Sequence, residues 1–71
     1  MPLSMVKVGK RVRILAVNAG RRLQMRLASM GLVPGVEIEV ISNNFRGPFI
    51  VAVNDLRLVL GRGMAHKIDV E

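Results

Sequence analysis

The stretch from Arg21 to Ile41 constrains this chain most, because helix, stop, turn and strand signals follow one another there without a gap. Leu23, Leu27 and Met30 recur at i, i+4 and i+7, which places one apolar stripe along a helix expected over Arg21–Met30. Arg21, Arg22 and Arg26 lie off that stripe. Gly31 follows directly, the residue type that enters the left-handed conformation ending a helix. Leu32 then stands where a Schellman motif returns a hydrophobic contact to Leu27. Val33-Pro34-Gly35-Val36 has the chemistry of a type II turn, with proline fixing the second position and glycine taking positive φ at the third. Val36, Ile38 and Val40 then alternate with Glu37 and Glu39, the period of a strand with one wet face, expected from Val36 to Ser42.

The flanks read as further strands. Lys10–Val17 alternates Val12, Ile14 and Ala16 with Arg11, Arg13 and Leu15, and Asn18-Ala19-Gly20 breaks the run and offers a helix cap. Asn43 to Pro48 is turn-rich. Phe49–Val53 and Leu56–Leu60 are joined by Asn54-Asp55, residues that tolerate the positive φ of a primed hairpin turn, with Leu56, Leu58 and Leu60 expected on one face. Gly61 to Lys67 holds two glycines, each costing ~1 kcal/mol in a helix interior, so a single helical turn is expected there. Ile68–Val70 closes the chain as a short strand. Five short strands and one helix inserted after the first predict a mainly β chain, rolled into a small closed or nearly closed barrel that hides its strand edges.

The 71 residues form one domain, 1–71, with no room for a second core. Half of them are hydrophobic, 51%, so some apolar surface is expected to stay exposed and to serve a partner or self-association. Cysteine is absent, which rules out a disulfide staple or thiolate metal cluster and fits a reducing compartment. No run approaches the ~18 apolar residues of a membrane span, and the first residues lack the pattern of a signal peptide, so a cytoplasmic location is expected. The net charge of +6 is unevenly placed: Lys7, Lys10, Arg11, Arg13, Arg21, Arg22 and Arg26 all precede the first acid, Glu37. Such a field suits nucleic acid, an anionic membrane surface or an acidic protein face, and equally a merely solvated surface.

The segments Arg26-Leu27-Ala28-Ser29-Met30-Gly31-Leu32-Val33-Pro34-Gly35, Val36 to Ile41, Gly47 to Val51, Leu56 to Leu60 and Ala65 to Val70 together resemble the FeoA family, from Val8 onward. That resemblance implies an SH3-like barrel with a helix after its first strand. It implies a cytosolic accessory role beside a membrane ferrous iron transporter whose cytosolic part is a GTP-binding domain. Arg62-Gly63-Met64 departs from the family pattern, where charged helix formers are common.

On this reading the helix presents Arg21, Arg22 and Arg26, with Met25 among them, to an acidic or mixed face of the transporter's cytosolic domain, and Phe45 and Arg46 form a second contact loop. An arginine entering the GTP site would speed hydrolysis by the partner. No catalytic residue and no cofactor are expected. His66 is the single histidine, and Ser4, Ser29 and Ser42 lie beside no evident base. Gly61-Arg62-Gly63 lacks the remainder of a nucleotide-binding loop. His66, Asp69 and Glu71 are the candidates for weak transition-metal binding, against the plainer reading as solvated charge. The methionines Met1, Met5, Met25, Met30 and Met64 are too scattered for a soft-metal site and suit core filling and adaptable contact. Nucleic acid remains an alternative partner for a small basic barrel. With only Phe45 and Phe49 aromatic, the chain is poor in the rings on which bases stack.

Overall fold

The computed structural model describes residues 1–44 and 46–71; Phe45, one of the expected contact residues, lies outside the described residues. The elements are β1 (Arg11–Val17), α1 (Arg21–Ser29), β2 (Glu37–Asn43), β3 (Phe49–Val53), β4 (Leu56–Leu60), α2 (Arg62–His66) and β5 (Ile68–Val70), preceded by a 3-10 turn at Leu3–Met5. All strand pairs are antiparallel and the sheet order is β4-β3-β2-β1-β5. Mainly β, with α1 inserted after the first strand and the short α2 before the last, the chain has the SH3-like architecture expected of it.

β1 lets one sheet curl. Its first half pairs with β2 through Arg11↔Glu39, Val12↔Ile38 and Arg13↔Glu37, and its second half with β5 through Ile14↔Val70, Ala16↔Asp69 and Val17↔Ile68. The register slips between Ile14 and Ala16, so Leu15 stands 44% exposed and Ala16 is only half-buried, a looser inward face than strict alternation predicts. The roll is not closed by hydrogen bonds: among the described residues β4 and β5 are the two ends of the sheet, with α2 bridging them in sequence.

The hinge forms as its residues dictate. Gly31 has φ +88°, its N–H donates to the Ala28 carbonyl at 2.9 Å, and the Leu32 N–H donates to Leu27 at 2.9 Å, the paired bonds of a Schellman stop. Gly35 has φ +94° and the Val36 N–H donates to the Val33 carbonyl at 3.2 Å, closing the type II turn. Ile14 then bonds both ways with the hinge, donating to Val36 at 2.9 Å and accepting from Gly35 at 2.7 Å. Gly20 takes the cap of α1 without a side-chain bond, and Gln24 Nε2 instead reaches back to the carbonyls of Ala19 (2.9 Å) and Val17 (3.2 Å).

Leu27 is fully buried, with Leu23 and Met30 half-buried against the same core, so the stripe faces inward. The core continues through Val12, Ile14, Ile38, Val40, Phe49, Val51, Val53, Leu60, Ile68 and Val70. β4 departs from its expected pattern: only Leu60 is buried, Leu58 is half-buried, and Leu56 is 63% exposed although its partner Val53 is core. At the hairpin tip the core therefore takes Val53 from β3 and leaves Leu56 of β4 to solvent. At that tip Asn54 has positive φ, 55°, and Asp55 does not, so the turn is not the type I′ form, which needs positive φ at both central residues. Residues before Val8, to which no element was assigned, are integral: Leu3 and Val6 are core, Pro2 bridges Asp69, and Val70 donates to the Met1 carbonyl at 2.8 Å.

Candidate functional site

Arg21, Arg22, Met25 and Arg26 all stand exposed on the outer face of α1, Met25 at 64%. Among the described residues none of these arginines makes an ion pair or side-chain hydrogen bond. Three of the acids are engaged elsewhere: Arg11 reaches Glu37 at 3.2 Å and Glu39 at 3.6 Å, and the Met1 ammonium lies 2.9 Å from Asp69. The first turn of α1 has no acidic residue, yet Arg21 and Arg22 occupy it. A helix amino terminus carries partial positive charge, so each cation there costs on the order of 0.3–1 kcal/mol where an acid would stabilise. Helix stability therefore does not account for these two side chains.

Beside this cationic face runs an open groove of about 520 Å³ between α1 and the hinge. Val17, Ala28, Leu32 and Pro34 line it, with Met25 and Arg21 at α1. The combination sets an apolar groove beside arginines that, among the described residues, make no ion pair.

Arg46, from the second expected contact loop, is not part of this surface. Arg46 is exposed, but it follows the far end of β2, whereas α1 and the hinge precede the near end. Six residue steps of strand separate the two by on the order of 20 Å. Near Arg46, polar groups are committed to one another. Asn43 Nδ2 donates to the carbonyls of Val6 (2.7 Å) and Ser4 (3.2 Å), and Arg62 donates to Asn43 Oδ1 (2.9 Å) and the Asn44 carbonyl (2.8 Å). The Arg62 guanidinium also lies 5.8 Å from the centre of the Phe49 ring. This clamp ties the amino-terminal turn to β2 and α2. Sequence reasoning missed it, because nothing in the spacing of Ser4, Asn43 and Arg62 marks them as neighbours.

One expectation about serines is corrected. Ser4 Oγ lies 3.1 Å from His66 Nδ1, so a serine does sit beside a base. Both groups are exposed, and among the described residues no carboxylate is bonded to His66 to orient it. The three-part arrangement of an activated nucleophile is not assembled. His66, Asp69 and Glu71 do not converge either: among the described residues no three such side chains are grouped so as to hold a metal ion. His66 lies on α2 against Ser4, Asp69 faces the Met1 ammonium, and Glu71 follows the end of β5. No helix among the described residues is long and apolar enough to cross a membrane.

Residues 1–71 match the FeoA domain family. The chain is 39% identical to an Fe(2+) transport protein A of Methanocaldococcus jannaschii, over 99% of this chain and 84% of that one. It superposes on a crystal structure of an iron uptake regulatory protein (FeoA) with a TM-score of 0.91 at 33% identity, covering 99% and 93% of the two chains. A zinc-complexed FeoA of Stenotrophomonas maltophilia, described as a prokaryotic SH3 domain protein, gives a TM-score of 0.85 at 25% identity over 100% of this chain and 89% of that one. The chain belongs to the FeoA family, small accessory proteins of ferrous iron transport.

Proposed function

We propose that the chain acts in the cytoplasm, without catalysing a reaction itself, by docking the outer face of α1 onto the cytosolic GTP-binding domain of a membrane ferrous iron transporter. The observation that carries this reading is the pair Arg21 and Arg22, exposed and, among the described residues, unpaired in the one turn of α1 where helix electrostatics disfavours them. Arg26 and Met25 extend the face, and the groove against the hinge gives an apolar anchor a place to enter. An acidic or mixed partner face completes the charge. Arg46 belongs to a separate surface and is not needed for this contact.

Capture of the isolated cytosolic domain by the chain tests the reading. Replacing Arg22 and Arg26 together by Glu is expected to weaken capture about tenfold or more at moderate salt, and added salt is expected to weaken the unaltered pair as well. Both positions are exposed, so the doubly altered chain should fold normally. Undiminished capture by a folded double variant rejects the α1 face.

A further inference from the structure

β4 is the outer strand of the sheet, and its free edge has a definite pattern. Val53 and Leu56 flank a two-residue turn, so they form the bonded pair that closes it, and bonded pairs recur at Val51–Leu58 and Phe49–Leu60. Leu56, Leu58 and Leu60 therefore spend their backbone groups on β3. Arg57 and Val59 aim theirs away from it, and among the described residues nothing bonds to them from that side. Val59 and Leu56, 69% and 63% exposed, are two of the most exposed large apolar side chains of the chain. A naked edge with apolar flanks is a template for another strand.

We propose that this edge takes β4 of a second copy of the chain, antiparallel and with Arg57 opposite Val59 in both directions. Three registers are open to two such edges, and charge and backbone bonding separate them. Setting Arg57 opposite Arg57 puts like charges face to face. Setting Val59 opposite Val59 requires Arg57 to pair with Gly61, whose carbonyl is already accepting from Ala65 at 2.9 Å as α2 turns away. Arg57 opposite Val59 uses all four free N–H and C=O groups of each strand's pair of outward residues. It lays each arginine stem over a valine and brings the exposed Leu56 against the partner's β4. The seam is short, well under the ~1,200 Å² of a stable complex, so the dimer is transient. Two copies at +6 repel, so added salt strengthens it. This surface is separate from α1, and self-association does not depend on transporter docking.

Sedimentation of the full chain up to about 1 mM is expected to show a monomer–dimer equilibrium that salt shifts toward dimer. Val59→Glu then faces Arg57 twice across the seam and should tighten association roughly threefold to tenfold, while Val59→Lys should loosen it by a similar factor. Glu and Lys at exposed Met25, which impose the same change in net charge on α1 rather than on β4, set the background for that comparison. Val59→Pro, which removes an outward N–H and leaves the β3 ladder whole, should leave a folded monomer. Monomer alone at every concentration overturns the proposal. So does a shift in the same direction for Glu and Lys at Val59, or a shift no larger than at Met25.

Discussion

The two ends of β2 are built from similar residues and use them in opposite ways. At its far end, Asn43 and Arg62 are bonded to one another and to the backbone of Ser4, Val6 and Asn44, so their polarity holds the fold together. Before its near end, α1 carries arginines that bond to nothing among the described residues, over an apolar groove. Charge spent on the chain's own backbone rigidifies a corner. Charge left unspent, at a helix end that resists it, is available to another molecule. This contrast, rather than the net charge of +6, is what supports the proposed docking of α1.

The contrast is sharpened first by stability. Leu27→Ala removes the one fully buried side chain of α1 and should cost about 2–5 kcal/mol in denaturant unfolding. Asn43→Ala should cost about 1–3 kcal/mol by taking the Asn43 donor from the Ser4 and Val6 carbonyls and one acceptor from Arg62, which keeps the Asn44 carbonyl. Hydrogen exchange should speed at the Val6 amide, which closes the amino-terminal turn onto Leu3. Gly31→Ala should cost about 1 kcal/mol: the nearest atom to an added Cβ is Val53 Cγ1 at 3.8 Å, so the penalty is the left-handed backbone, not a clash. Arg22→Glu should do the reverse, raising stability by roughly 0.3–1 kcal/mol in thermal unfolding because an acid suits the first turn. A loss of stability on Arg22→Glu would show that this arginine is structural and would erase the contrast.

What was legible in the sequence was local. The stop at Gly31, the turn at Pro34-Gly35 and the alternation from Val36 follow from residue chemistry over a few positions, and each appears where expected. The exposure of Arg21, Arg22, Met25 and Arg26 follows from the same helical period that buries Leu27. Long-range pairing was not legible. Leu3 and Val6 sit in a segment too short to show periodicity, yet β5 and the Asn43 side chain draw it into the core. Leu56 matched the alternation of a buried face, yet it stands exposed opposite the buried Val53, which a period within one strand does not reveal. The separation of Arg46 from α1 is likewise a property of strand direction, and the contact of Ser4 with His66 spans almost the whole chain.

The most direct test is to titrate the isotope-labelled chain with the transporter's cytosolic GTP-binding domain and follow each amide resonance. The account predicts perturbations gathered on residues 21–26 and on the groove at Val17, Ala28 and Leu32, with Ser4, Asn43, Arg62 and His66 undisturbed. Perturbations gathered instead around Asn43, Arg46 and Arg62, with α1 silent, would contradict it.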